Sequence, residues 1–241
     1  MNKALGYAWG TLLVIALWWL LALAARSPAL PTPWDTIPVL GQELGAIMPE
    51  FWVSFERILL SMVIGTVLGA PLGLWLGRSQ RADAVLGPAL YILYPLPKIV
   101  LLPVLFVLFG LGGEAKVILI SIAVFFQMLV TMRDAAKAIP SSAVLSLRSL
   151  GANRWQIFRE VTVPASLPSL FTALRITTGT AVAILFIAES MAGSTGLGYF
   201  IMHAWSMLEF ARMFAGIIAM AFMGIIIYEA FDLAERKLAR R

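Results

Sequence analysis

The stretch "LRSLGANRWQIFREVTVPASLP", residues 147–168, is the most informative polar segment of the sequence. It carries three arginines, one glutamate and two prolines. Apolar runs flank it on both sides, and each is long enough to cross a bilayer, which takes about 20 predominantly apolar residues. The stretch therefore predicts a polar connection between two membrane spans.

The composition of the whole chain is typical of a membrane protein. Hydrophobic residues make up 61% of the 241 residues and charged residues 13%, and the mean hydropathy is +0.90. Soluble domains are closer to half apolar and a quarter charged. The lack of cysteine and the single histidine, His203, disfavour thiol chemistry and histidine-rich metal sites. The net charge of +5 comes from basic residues at the ends of apolar runs, which indicates membrane topology rather than nucleic-acid binding.

The apolar runs predict an all-α membrane protein with about six transmembrane helices. The predicted spans are 4–25, 54–77, 86–110, 115–132, 169–190 and 211–231. The first run has the flanks of a secretory signal peptide, but it is longer than the usual 7–15 apolar residues and contains three tryptophans. We therefore interpret it as an uncleaved membrane anchor.

The lysines and arginines predict the orientation of these spans. With both termini inside, 13 of the 18 basic residues fall on the cytoplasmic side. The positive-inside rule then favours an N-in, C-in topology. The cytoplasmic set is Lys3, Arg78, Arg81, Arg133, Lys137, Arg148, Arg154, Arg159, Arg175, Arg236, Lys237, Arg240 and Arg241.

The second span carries a glycine every four residues, at 65, 69, 73 and 77. Such a stripe allows another helix backbone to approach closely, so it predicts helix packing inside the protein. The alternative is that the stripe forms a flexible wall of a moving pathway.

The third and fifth spans contain the candidates for a solute pathway. Prolines at 95, 97 and 103 predict a broken or kinked third span, with Lys98 beside the break. Lys98 either attracts an anion in the pathway or extends its charge to the membrane surface. Glu189 precedes a glycine-rich turn and is a substrate contact, a gate or a structural hydrogen-bond acceptor. The predicted pathway residues are Pro97, Lys98, Gln127 and Glu189.

Helical spacing predicts one short amphipathic helix within the opening stretch, ending at Pro164 and Pro168. Its apolar face contains Leu147, Leu150, Gly151, Trp155, Phe158 and Val161. Such a helix either lies in the membrane interface or docks into a groove of a soluble partner, and its periodicity leaves both interpretations open.

Residues 145–164 resemble the EAA loop of ABC importer permeases, whose consensus is E-A-A-x3-G-x9-I-x-L-P. Gly151 supplies the glycine, and "VTVP" at 161–164 occupies the positions of I-x-L-P. The triad that gives the loop its name is replaced by "LSL" at 145–147. Other blocks are similar to the branch that imports nitrate, sulfonates, taurine, bicarbonate and thiamine precursors, among them "SFERILLSMVIGTVLGAPLGLWLGRS", "PLPKIVLLPVLFVLFGLG" and "AESMAGSTGLGY". Within that branch, "PLPK" is closer to the thiamine-precursor members.

The resemblance implies a type I permease core in which residues 148–160 form a cytoplasmic coupling helix seated on an ATPase. It also implies a homodimer of permease chains in the bacterial inner membrane, two ATPase subunits that bind ATP and Mg²⁺, and an external solute-binding protein. The chain lacks the nucleotide motif G-x-x-x-x-G-K-[ST], so no cofactor is expected on it. The predicted ATPase-coupling residues are Arg148, Ser149, Gly151, Ala152, Asn153, Arg154, Trp155, Phe158 and Pro164.

The sequence thus predicts a transport subunit without enzymatic activity, which forms the pathway for a small anionic or heterocyclic solute. Its expected parts are an N-terminal helix with an outer segment (1–50), a permease domain (51–235) and a basic cytoplasmic tail (236–241). An ion-coupled secondary transporter is the alternative, with Glu189 as a candidate ion-coupling acid. A membrane-embedded enzyme would need clustered His, Asp or Glu side chains, which this sequence does not place together.

Overall fold

The computed structural model describes residues 3–191 and 193–239, and it is all-helical there. Among the described residues, five helical segments are long and apolar enough to cross a membrane, and there are six spans if the bent helix pair forms one. The prediction of an all-α protein with about six spans is therefore confirmed at this level. The helices are α1 (Lys3–Ala25), α2 (Pro33–Gln42), α3 (Leu44–Arg78), α4 (Gln80–Leu93), α5 (Leu102–Phe109), α6 (Gly113–Lys137), α7 (Ser141–Ser149), α8 (Arg154–Ile157), α9 (Val163–Met191), α10 (Leu197–Ser206) and α11 (Phe210–Ala239).

The bent pair confirms the predicted break in the third span. Helix α4 ends at Leu93, a short 3₁₀ helix spans Lys98–Leu101, and the two halves of the span meet at 82°. The cause is local, since Pro95 and Pro97 have no backbone N–H and cannot continue the hydrogen-bond ladder of α4.

The chain divides into two compact units. Unit 1 contains residues 1–54 and 189–222, and unit 2 contains residues 55–188 and 223–241. In unit 1, the Trp18 ring of α1 stacks on Phe214 with ring centroids 5.5 Å apart, and its Nε1 donates to Pro31 O at 3.0 Å. Helix α1 therefore packs as part of unit 1, while its identity as an uncleaved anchor stays a prediction.

In unit 2, the glycine stripe of α3 lies directly against the backbone of α6. A Cβ added to Gly65 would lie 2.6 Å from the Val124 Cβ, and one added to Gly69 would lie 2.6 Å from the Phe125 carbonyl oxygen. Cβ atoms essentially never come this close to another heavy atom, so a larger residue at either position would force the two helices to shift. The interpretation of the stripe as a helix-packing surface is confirmed.

Buried charges in unit 2 are paired across helices. The Arg175 guanidinium of α9 contacts Asp232 at 3.0 Å and Glu235 at 2.6 Å, both on α11. Asp83 of α4 likewise accepts from Arg133 and Lys137 of α6. These pairs compensate charges that would otherwise be costly between membrane helices. Of the basic residues used to predict orientation, Arg240 and Arg241 lie outside the described residues.

Candidate functional site

A tight turn at Gly151 is the central feature of the opening stretch. Helix α7 ends in a Schellman motif, in which Gly151 N donates to Arg148 O at 2.9 Å and Ala152 N donates to Leu147 O at 3.0 Å. Gly151 has a φ of +83°, the left-handed region that other residues adopt only with strain. We call residues 147–153 the Gly151 turn.

A new helix begins immediately after the Gly151 turn. Asn153 Oδ1 accepts from Gln156 N at 2.9 Å, and Gln156 Oε1 accepts from Asn153 N at 2.8 Å. This reciprocal capping box satisfies donors that a helix N-terminus leaves open. The prediction of one continuous amphipathic helix over this stretch is therefore wrong, because α7 and α8 are separate helices joined by a turn.

The two prolines of the stretch do not end the helix either. The chain stays helical from Arg154 to Met191 through a π-helical segment at Phe158–Thr162. Val163 N donates to Phe158 O, five residues back, just before Pro164. This wider π-turn admits a residue without an N–H, and Pro168 then lies inside α9. The predicted stop at Pro164 and Pro168 is wrong for this reason.

The surface beside the Gly151 turn is apolar and exposed. Leu150 is 83% exposed and Trp155 is 67% exposed. The Trp155 ring stacks on Phe158, with ring centroids 5.8 Å apart. The exposed arginines Arg148 and Arg154 border it. We call this surface the Trp155 patch. Of the predicted coupling residues, Arg148, Arg154, Trp155 and Phe158 lie at it and line one cavity, Ser149, Gly151, Ala152 and Asn153 form the adjoining end of α7 and the turn, and Pro164 lies in the first turn of α9.

Three of the four predicted pathway residues line one cavity in unit 2. It has a volume of about 420 Å³ and is lined by Pro97, Lys98 and Gln127 together with aromatic and aliphatic side chains. The Lys98 ammonium donates to Leu93 O at 2.9 Å and to Tyr94 O at 2.5 Å. It thereby satisfies the carbonyls freed where α4 ends.

The rings of the same cavity surround the lysine. Lys98 Nζ lies 4.7 Å from the centre of the Phe126 ring and 5.5 Å from that of Tyr94. The Tyr94 hydroxyl donates to Gln127 Oε1 at 3.0 Å. The cavity thus combines one positive charge, an amide and apolar walls, an arrangement that can bind a small organic anion. Tyr94 and Phe126 were not singled out in the sequence, because aromatic residues in an apolar span give no distinguishing signal.

Glu189 does not line this cavity and instead belongs to a polar cluster in unit 1. Its side chain is fully buried. Its carboxylate accepts from Ser54 Oγ at 2.8 and 3.0 Å and from Gly198 N at 2.9 Å. Ser54 Oγ in turn accepts from Leu197 N at 2.8 Å, and Glu50 accepts from Gly196 N. We call these residues the Glu189 knot.

The Glu189 knot binds the first amides of α10. A negative carboxylate is favourable there, because a helix N-terminus presents free N–H groups and a partial positive charge. Gly196 has a φ of +107°, and a Cβ there would overlap the Glu189 carboxylate. Among the roles considered for Glu189, this geometry supports the structural hydrogen-bond acceptor. The glycine-rich turn that follows Glu189 in sequence could have indicated this role. Ser54 gave no such signal, because it lies 135 residues away in sequence.

The membrane-spanning helices define a multi-pass membrane protein, and the Gly151 turn with the Trp155 patch forms an exposed connection between two of them. Residues 43–241 match the family of binding-protein-dependent transport system inner membrane components, and the chain belongs to that family. It is accordingly the permease subunit of an ABC importer, a non-enzymatic transport protein of the inner membrane. In this family the ATPase is a separate subunit, and transport depends on a binding protein.

The chain is similar to curated permeases over almost its full length. The taurine transport system permease protein TauC of Escherichia coli (strain K12) is 30% identical over 96% of this chain and 86% of its own length. The putative aliphatic sulfonates transport permease protein SsuC of Bacillus subtilis (strain 168) is 30% identical over 99% of this chain and 89% of its own length. Among solved structures, the inward-facing MetNI methionine ABC transporter matches with a TM-score of 0.69 and 20% identity, over 82% of this chain and 98% of that one.

Proposed function

We propose that the chain forms, as a homodimer, the pathway of an ABC importer for a small organic anion of the sulfonate class. The observation that carries the choice of solute is the cavity around Lys98, which offers a cation beside apolar walls. The names of the taurine and sulfonate permeases at 30% identity support the same class. A heterocyclic solute, which "PLPK" favours, would use the Tyr94 and Phe126 rings rather than the charge.

The proposed topology is N-in and C-in, with a type I core and residues 148–160 on the cytoplasmic side. The bias of lysines and arginines supports this orientation. The division into 1–50, 51–235 and 236–241 remains part of the proposal. In this arrangement the Trp155 patch faces the ATPase, and its exposed Leu150 and Trp155 are the apolar anchors of the contact.

The proposed mechanism transmits motion and involves no covalent chemistry in this chain. ATP and Mg²⁺ on the partner subunits supply the energy. Because α8, the π-helical segment and α9 are one continuous helical stretch, movement of the docked patch is passed directly into a membrane span. Nucleotide shifts the balance between inward and outward states only through its different affinity for the two.

An uncoupling variant tests the docking role. Arg154→Glu reverses the charge beside Trp155 and touches no buried group, so we expect normal melting but loss of solute-stimulated ATP hydrolysis and uptake in reconstituted vesicles. Arg26→Glu, an exposed arginine outside the patch, serves as the matched control. Normal coupled transport by Arg154→Glu would refute the docking role. Uptake without ATP by the wild-type chain alone would favour the secondary transporter.

The solute class is tested at Lys98. In Lys98→Gln the positive charge is lost but a hydrogen-bond donor remains, so we expect the KM for an alkane sulfonate to rise about tenfold, a loss of about 1.4 kcal/mol. The KM is measured from sulfonate uptake into reconstituted vesicles at a saturating concentration of the binding protein. An unchanged KM would exclude Lys98 from the pathway, and a stronger effect on a neutral heterocycle than on a sulfonate would favour the heterocyclic alternative.

A further inference from the structure

Two adjoining cavities in unit 2 form a strongly basic pocket beside α7. Their volumes are about 720 and 880 Å³, and both are lined by Arg78, Ser79, Val144 and Arg148. Arg154, Trp155 and Phe158 of the Trp155 patch line the first cavity, and Arg81 and Lys137 line the second. Asp83 is the single acid among the residues lining either cavity. We call this combined space the basic pocket.

Most of the positive charge in the basic pocket is uncompensated. Asp83 is already engaged by Arg133 and by Lys137, whose Nζ lies 2.5 Å from its Oδ2. Arg78 donates weakly to the Ala136 carbonyl oxygen at 3.5 Å. Across residues 3–191 and 193–239, no carboxylate pairs with the arginines at 78, 81, 148 and 154. Each cavity is therefore lined by three arginines without a carboxylate partner, two of them shared, and this charge favours an anionic ligand.

An exposed apolar stripe on α3 leads to the basic pocket. Leu68, Leu72 and Trp75 are all exposed and lie at the i, i+4 and i+7 positions of one helix face. Trp75 also lines the first cavity, next to Arg78. Tryptophan favours the membrane–water interface, with apolar chains on one side and polar groups on the other. The stripe therefore adds to the anion site a surface suited to a hydrocarbon chain.

We propose that the basic pocket binds the phosphate headgroup of an anionic phospholipid, with an acyl chain lying along Leu68, Leu72 and Trp75. Arginine pairs with phosphate through two parallel hydrogen bonds, and basic pockets between membrane helices suit such headgroups. A soluble phosphate would use the arginines but leave the apolar stripe without a ligand. The pocket's position in the cytoplasmic leaflet rests on the proposed orientation, whereas the binding itself does not.

The test uses the assembled transporter, permease with its ATPase subunits, in nanodiscs of phosphatidylcholine with or without phosphatidylglycerol. Native mass spectrometry counts the retained phosphatidylglycerol, and a photoactivatable phosphatidylglycerol maps its contacts. We expect crosslinks on residues 68–81 and at least a fivefold loss of occupancy in the double variant Arg78→Gln/Arg81→Gln. Arg159→Gln is the matched control, because this 74% exposed side chain lines neither cavity.

Several outcomes would overturn the proposal. Equal occupancy in the wild type, the double variant and the Arg159→Gln control would show that the pocket has no specific role. Displacement of phosphatidylglycerol by millimolar inorganic phosphate would identify a soluble-anion site instead. Crosslinks that appear on the permease alone but vanish in the assembled complex would show that the ATPase occupies the pocket. The readouts are lipid occupancy and lipid crosslinks, so a negative result here is distinguishable from a failure of coupled transport.

Discussion

The Glu189 knot and the Gly151 turn are both polar breaks between helices that contain a glycine with positive φ, yet their surroundings differ. In the knot, the Glu189 carboxylate and Ser54 are buried, and each accepts hydrogen bonds from backbone amides. In the turn, the backbone bonds are closed by the Schellman motif, but the neighbouring Leu150 and Trp155 face outward. The polar groups of the knot are satisfied within the chain, whereas the turn leaves apolar side chains exposed.

This difference distinguishes two kinds of functional candidate. A charged residue in a span is a candidate for function until its partners are known. Once Glu189 is seen to hold the start of α10, its charge has a structural role. Leu150 and Trp155, by contrast, are largely exposed, which fits the docking role proposed for the Trp155 patch.

The largest effect is expected from Glu189→Ala. The substitution leaves Ser54 and the Gly198 amide without their acceptor in a buried site, so we expect a loss of about 3 kcal/mol in the free energy of unfolding. Thermal unfolding in detergent and the yield in the membrane measure it. Glu160→Ala is the control, since the Glu160 side chain is 63% exposed. Equal melting temperatures for both variants would remove the structural role of the knot.

A smaller effect, and one of a different kind, is expected from Trp155→Ala. Because Trp155 contributes exposed surface, melting should stay unchanged while affinity for the ATPase subunits falls about 30-fold, or about 2 kcal/mol, as for an interface anchor. Trp34→Ala, which removes a tryptophan of similar exposure from α2, is the matched control. Unchanged ATPase affinity in Trp155→Ala, measured by surface binding of the purified subunits, would separate the patch from docking.

The smallest effect is expected from Gly151→Ala. A Cβ at Gly151 meets no atom within 4 Å, so the cost is only the left-handed backbone, about 1 kcal/mol. Gly151→Asn should cost less, because asparagine tolerates this conformation. The midpoint of thermal unfolding and the coupled ATPase rate measure both variants. A larger loss for asparagine than for alanine would show that side-chain volume, not φ, is limiting.

The features that sequence reasoning predicted are those set by nearby residues. Span number follows from runs of apolar residues, and the bend of the third span follows from Pro95 and Pro97. The glycine stripe of α3 was identifiable because glycines repeated every four residues place a bare backbone along one helix face. The cavity around Lys98 was anticipated in part from similarly local information, since a charge beside a helix break needs polar surroundings.

The features that sequence reasoning missed depend on backbone geometry or on distant residues. Helical periodicity does not indicate that Gly151 has a positive φ, so the turn there was missed. The Asn153–Gln156 pair, however, has the spacing of a capping box and indicates a helix start. A π-turn before Pro164 has no clear sequence signal, so the helix was expected to end there. Helix α3 begins at Leu44, before the predicted 54, because Pro49 and Glu50 interrupt the apolar run without interrupting the helix.

The contact between α3 and α6 has a mechanical consequence. The glycines of α3 meet α6 at intervals of four residues, from Val124 near Gly65 to Ala136 near Gly77, so the two helices run side by side in the same direction. No side chain of the α3 stripe separates the two backbones. To slide along each other and regain the same packing, the two helices would have to shift by one glycine repeat, which is about 6 Å for four helical residues. These two segments are therefore expected to move together as one rigid unit. Any movement between inward and outward states would then take place at other helix contacts.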